Sequence, residues 1–366
     1  WNNRPAIADD PFDSVDIPSL GEANLDLTSA LPADGSATTV SLALVPTQAT
    51  ATDIKVGSRE SRTPPRVLVT WNDCYGVTDT LTPDCQGRTL FGAGAGQAEN
   101  PTKSTLQVFR DAEARYGRSI PVWRLIVKPD ELPFEPGTDT TEAANAQVAD
   151  GGIVQMNWRP NADWSLATGS DPATNAAIDQ AAANIKNSGG RVMLSVFQEP
   201  DDNIGGGTTC AVKGTIPGNT PANYVAMWRH VHDRFADLGV DNVVWAMNYQ
   251  GASSNECSRI EMWPGDDYVD VVGFSRYWGS RNAPTVASSI GQTYGWFMAN
   301  SAPGHDFASK PFALMETGMN NPAASQQVAY TGYADLSTAI QNNTYPNLRL
   351  VMAWDSNTDA GKNTRT

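Results

Sequence analysis

A (β/α)8 barrel is the fold this sequence predicts, and three observations predict it. Eight apolar, β-rich runs recur along the chain: Thr89–Gly94, Val122–Val127, Gly152–Trp158, Arg191–Glu199, Asn242–Tyr249, Val269–Tyr277, Pro311–Glu316 and Leu348–Trp354. Most are near-continuously hydrophobic, as strands of a parallel sheet covered on both faces must be. Helical patterns fill most of the gaps, and strand–helix–strand repeated to eight argues for closure over an open doubly wound sheet.

Taken in order, residues 1–88 carry no strong helical period and are rich in Pro, Ala, Thr, Ser and Asp. With strand-like patches at Thr39–Val45 and Arg66–Thr70, they read as an N-terminal β-rich module or extended arm, and residues 89–366 as the barrel. Gly92-Ala-Gly94-Ala-Gly96 follows a strand, but Gln97 stands where a dinucleotide fingerprint needs its last Gly, so it reads as a tight turn. Ser104–Tyr116 places Leu106, Phe109 and Ala112 on one helical stripe. Asp171 caps a helix with Pro172 at its first position, ending at Gly189–Gly190. Thr220 and Pro221 repeat the device for a helix through Val225, Trp228, Val231 and Phe235 that stops at Gly239. Pro284–Ala299 and Ala323–Gln341 supply two more. Only twelve residues follow Trp354, so the last helix is expected to be short or absent, with the N-terminal arm covering the gap.

Lys and Arg number 25 against 40 Asp and Glu, a net charge of −15. Such a surface repels phosphate backbones and anionic membranes, and no basic run offers an exception, so neither nucleic acid nor membrane is an expected partner. No apolar stretch approaches a membrane span. Trp, at 11, is as common as Phe or Tyr, which suggests stacking platforms for a neutral polar ligand such as a sugar. Cys74, Cys85, Cys210 and Cys257 form no CxxC or Cys/His cluster, and two disulfides suit their spacing. Of three pairings, Cys74–Cys85 and Cys210–Cys257 are favoured. The chain starts at Trp1 without Met or an apolar leader, which reads as a processed, secreted form. His230 and His232 face different ways on a helix and cannot chelate zinc together. No metal and no cofactor is expected, and the chain is expected to act as a monomer.

Barrel active sites use residues at the carboxyl ends of strands. Those ends carry Gln198-Glu199-Pro200 after the fourth strand and Glu316-Thr317-Gly318 after the seventh. By strand alternation Glu199 shares a face with Ser195, and Glu316 with Leu314 and Phe312, so both carboxylates are expected in the barrel mouth. Two facing carboxylates are what a retaining glycosidase needs: one attacks the anomeric carbon, the other protonates the leaving oxygen and later activates water. Trp158, Trp164, Tyr249 and Trp278 are candidate subsite aromatics, whereas Trp228 and Trp245 are assigned to the core. Asp201 and Asp202 read as a solvated loop.

Glu199 within Gln-Glu-Pro and Glu316 within Met-Glu-Thr-Gly resemble the acid/base and nucleophile of clan A retaining glycoside hydrolases. Tyr224–Asn242, Val243–Trp245, Trp263–Gly273 and Lys310–Gly318, as a succession, are similar to family 26, which includes β-mannanases, β-1,3-xylanases and lichenases. The resemblance covers the barrel from the fourth strand onward and, weakly, earlier strands. It implies that Tyr277 hydrogen-bonds the nucleophile, that Trp354 is the sugar platform, and that Gln198 replaces an amide reaching the sugar 2-hydroxyl. Family 26 mannanases carry His-Glu-Met-Asn-Gly around the acid/base, and this chain departs from that pattern. The expectation is therefore a secreted retaining endo-β-glycosidase acting on a neutral polysaccharide, β-mannan-like or another β-glycan. Two rivals stand beside it: a carbohydrate-binding barrel without turnover, kept open by Gln198, and a barrel enzyme of phosphorylated metabolites, opposed by the charge.

Overall fold

The structure, a computed structural model, describes residues 89–95, 102–208, 210–320 and 326–355. Eight parallel strands close in sequence order: β1 (Leu90–Ala95), β2 (Val122–Ile126), β3 (Ile153–Trp158), β4 (Val192–Val196), β5 (Val243–Tyr249), β6 (Val271–Trp278), β7 (Phe312–Met319) and β8 (Leu348–Asp355). Closure runs through β8 on β1, from Leu90 opposite Leu350 to Ala95 opposite Asp355. Helices α1 (Thr105–Tyr116), α2 (Asp139–Ala149), α3 (Pro172–Lys186), α4 (Pro221–Asp237), α5 (Glu256–Glu261), α6 (Gln292–Ala299) and α7 (Gln326–Gln341) occupy the connections. This is a TIM barrel. The N-terminal arm, the Cys74–Cys85 pairing and the residues after Asp355 lie outside the described residues.

Helix starts follow the expected chemistry. Ser104, Thr138, Asp171 and Thr220 each accept a backbone N–H of the first turn, and such a cap contributes about 1 kcal/mol. Sequence periodicity misses α2, whose inward positions are Thr140, Thr141, Ala143, Ala144 and Gln147. Those residues bury a face without apolar contrast. The six-residue α5 is missed because it is too short to show a period.

The core has two layers, divided by strand alternation. Val122, Met193, Val244, Ala246, Val271, Ala313, Met315, Leu350 and Met352 fill the lumen. Their strand neighbours face outward under the helices, as Trp123 does where it stacks on Phe109 at 4.4 Å. Burying a ring of this kind contributes about 3 kcal/mol. Gly92 and Gly94 lie within β1, not in a tight turn. A Cβ at Gly94 would come within 2.7 Å of the Trp354 ring, so only glycine lets that indole lie against β1.

Candidate active site

Alternation puts polar side chains into the upper lumen wherever the inward position falls near a strand's carboxyl end. Arg124 on β2, Gln155 and Asn157 on β3, Ser195 on β4, Asn248 on β5 and Ser275 on β6 are all buried there. They satisfy one another. Gln155 Nε2 donates to Ser195 Oγ at 3.2 Å, and Asn248 Nδ2 to Ser275 Oγ at 3.1 Å.

Glu316 enters this layer through an irregularity, not through simple alternation. Phe312 and Leu314, its expected face-mates, pack in the outer layer, while Ala313 and Met315 face the lumen. On β6 the pairing jumps from Phe274 opposite Leu314 to Ser275 opposite Glu316. On the other side Leu314 pairs with Val351 and Thr317 with Ala353, so β7 holds one residue more than β8. That bulge turns Glu316 inward directly after Met315.

Both carboxylate oxygens of Glu316 are held. Arg124 Nη1 donates to Oε1 in a buried ion pair, and Tyr277 Oη donates to Oε2 at 2.7 Å. Arg124 is itself oriented by Asn248 Oδ1 at 3.2 Å and lies 5.8 Å from the Trp354 ring. Burial, then the charge of Glu316, holds the Tyr277 phenol well above its usual range, so it remains a donor.

Glu199 lies beyond β4, which ends at Val196, so strand alternation does not place it. Phe197 and Glu199 both take left-handed backbone, with φ of 61° and 50°. Each such residue costs on the order of 1–3 kcal/mol unless its surroundings hold it. Here Phe197 N donates to Trp158 O at 2.7 Å and Glu199 N to Asn248 O at 2.7 Å. Burial first, and the charge of Glu316 second, push the Glu199 carboxyl up to about 7, against the opposing effects of Ser275 and Arg124. The two carboxyls are therefore electrostatic neighbours with unequal surroundings, the pattern that separates an acid from a nucleophile.

Asp201 corrects the expectation of a solvated loop. It is buried, accepting from Gln250 N at 2.7 Å and Asn255 Nδ2 at 3.3 Å, and burial raises its carboxyl. It clamps the turn carrying Glu199 to the segment after β5. Asp202 is at the surface, paired with Lys213 at 2.8 Å. The Cys210–Cys257 disulfide ties the loop after Asp202 to α5.

Four of the candidate subsite aromatics are placed elsewhere. Trp158, Tyr249 and Trp278 occupy outward positions on β3, β5 and β6, and Trp164 packs edge-on against Phe197 and Tyr224. All four are at most 1% exposed and present no face to a ligand. Trp354 is half-buried on the lumen side, beside Arg124. Gln198 is half-buried, and its Oε1 is buried without a partner among the described residues. Arg124, Asn248 and Ser275 were not among the sequence candidates. Their signal was a polar residue inside an apolar strand, on the same parity as the other lumen residues. A cavity of about 820 Å³ between the start of α2 and the end of α3 contains none of these residues.

The sequence profile of glycosyl hydrolase family 26 matches residues 165–299, a stretch that contains Glu199, Asn248 and Tyr277 and stops short of Glu316. Endoglucanase H of Acetivibrio thermocellus is 29% identical over 141 residues, 37% of this chain and 15% of that protein's length. The GH26 domain of a Prevotella bryantii endo-β-mannanase/endo-β-glucanase superposes with a TM-score of 0.53 at 17% identity, covering 74% of this chain and 85% of that one. A Bacillus subtilis mannanase gives 0.50 at 17% identity, covering 76% and 83%. At these identities the structural likeness is one of fold.

Proposed function

We propose that this family-26-like barrel is a retaining glycoside hydrolase cleaving within a β-linked polysaccharide, with Glu316 as nucleophile and Glu199 as acid/base. The observation that carries the reading is the asymmetry of the two carboxyls. Glu316 is gripped at both oxygens by Arg124 and Tyr277, while Glu199 is pushed up to about 7 and so holds its proton near neutrality. In the first step the Glu316 carboxylate attacks the anomeric carbon as Glu199 gives its proton to the departing glycosidic oxygen. The C–O bond breaks and a glycosyl ester forms. That ester neutralises Glu316, the Glu199 pKa falls, and Glu199 takes a proton from the water that attacks the same carbon and frees Glu316. This reading requires the two carboxyls to stand about 5–5.5 Å apart, the spacing of retention. Trp354 is the sugar platform in this reading, and Gln198 Oε1 accepts from a sugar hydroxyl.

A backbone of β-mannan or a related β-glycan is supported by the mannanase and endoglucanase names of the similar proteins. Secretion is supported by the Cys210–Cys257 disulfide, a bond that persists in oxidising compartments.

Reducing-end release on a panel of β-glycans, with the product anomer followed by NMR, tests the reading. Retained configuration is expected; inversion, or no release from any glycan, overturns it. Glu199→Ala should stall on polysaccharide yet give a burst of phenol from an activated aryl glycoside, whose departure needs little protonation. Equal loss on both substrates without a burst would remove Glu199 from the acid/base role.

A further inference from the structure

Trp158, Trp164, Tyr249 and Trp278 are turned into the core, and among the described residues polar groups stand out on the Glu199 side of the site. One such group is conspicuous. Arg159 directly follows β3, and its guanidinium lies 4.7 Å over the Phe197 ring, which Trp164 braces edge-on at 5.3 Å. The left-handed turn that delivers Glu199 thus also sets the ring beneath Arg159. A cation seated on a buried aromatic face is held in place without losing its charge. Its outer edge is exposed, and among the described residues it forms no ion pair. Asp179, Asp150, Glu113 and Asp202 take Arg234, Arg110 and Lys213, yet none of the described carboxylates takes Arg159. Phe197, the ring that carries the guanidinium, stands two residues before Glu199 on the same turn, and the charge of Glu199 acts on Arg159. A proton donor meets the glycosidic oxygen of the leaving group, so a cation carried on the donor's own turn is within reach of the leaving-group sugar.

We propose that Arg159 on its Phe197–Trp164 platform is an anion-recognising element of the aglycone subsite, selecting β-glycans whose neutral backbone carries acidic sugars there. The shared chemistry is a planar or tetrahedral anion on the sugar: a uronate carboxylate or a sulfate ester. A carboxylate meets the guanidinium fork with two parallel N–H···O bonds, and a sulfate offers the same pair of oxygens. This inference rests on the proposed assignment of Glu199 as acid/base, because that assignment puts Arg159 on the aglycone side.

The test uses one backbone in three forms: glucomannan, glucomannan partly oxidised at C6 to uronate and compared with its carboxyl-reduced form, and partly sulfated glucomannan. The intact protein should cleave one acidic form with kcat/KM about tenfold above its neutral counterpart, a preference that shrinks in 0.5 M salt. Which acidic form is preferred distinguishes carboxylate from sulfate. Arg159→Gln should abolish the preference, and Arg159→Lys should keep part of it, as a point charge without the fork. Calorimetry on the Glu316→Gln protein with oligosaccharides from the same preparations reads binding without turnover. Tighter binding of the acidic form, lost on adding Arg159→Gln, supports the inference even if no polymer is hydrolysed, a result that would instead defeat the proposed function. Equal binding and cleavage of acidic and neutral forms, or an equal loss on both in Arg159→Gln, overturns it.

Discussion

Replacing Glu199 by Gln should stabilise the protein in alkali and leave it unchanged in acid. Burial, with the charge of Glu316 second, raises the carboxyl from 4.5 to about 7. A group whose folded pKa stands above its unfolded one contributes stability that is fully present below the unfolded value and is lost as pH rises through the folded value. For Glu199 the loss accumulates between pH 4.5 and 7, because there the unfolded chain sheds a proton that the folded chain keeps. Above about pH 8 it is complete. A shift of 7 − 4.5, or 2.5, at 1.36 kcal/mol per unit sets the ceiling at about 3 kcal/mol. Glutamine has the shape of the protonated acid and no charge to lose. Asp201, also raised by burial, is present in both proteins and cancels. Urea unfolding of the two proteins at pH 4, 5.5, 7 and 8 measures the difference. The expected course is equal stability at pH 4 and a difference that grows in favour of Glu199→Gln to about 2–3 kcal/mol at pH 8. A difference that does not change with pH, or one that grows in favour of the parent, would refute the placement of Glu199 in a site that disfavours its charge.

Glu316→Gln should lower kcat on polysaccharide by at least about a thousandfold while circular dichroism is unchanged, since the carboxylate that would form the glycosyl ester is gone. Undiminished hydrolysis would end the nucleophile assignment. Glu316→Ala should in addition cost about 3–5 kcal/mol in urea unfolding, because it leaves the buried Arg124 without its carboxylate. Tyr277→Phe deletes the 2.7 Å bond to Glu316 and should lower kcat about 10–100-fold with little change in KM, the signature of a lost orienting contact. A change in KM alone would place Tyr277 on the substrate instead. Reducing Cys210–Cys257, which spans 47 residues, should cost up to about 4 kcal/mol by loop entropy, read as a lower urea midpoint in dithiothreitol. An unmoved midpoint would contradict the tie between this loop and α5.

Much of the barrel was legible because strands buried on both faces must be apolar along their length, and because Asp171-Pro172 and Thr220-Pro221 announce helix starts locally. Glu199 and Glu316 stood out as charges at the ends of such runs. Placing the aromatics by the same logic failed at Trp158, Tyr249 and Trp278, since lying at the end of a strand says nothing about inside or outside. One residue of parity decides that, and Asn157, Asn248 and Tyr277, each one position earlier, take the inward places. Glu316 is the opposite case: alternation alone groups it with outward Leu314, and the β7 bulge turns it in.

What this sequence determined by itself was its set of elements and the polar residues that break its apolar strands, because hydrophobic periodicity and capping act over a few residues. Which of those residues meet was decided only by closure of the sheet. Arg124 and Glu316 are 192 residues apart and become an ion pair because the β7 bulge and barrel curvature carry them across one lumen. The raised carboxyl of Glu199 has the same origin: burial and a neighbouring charge are properties of a three-dimensional environment, and no local stretch of chain encodes either.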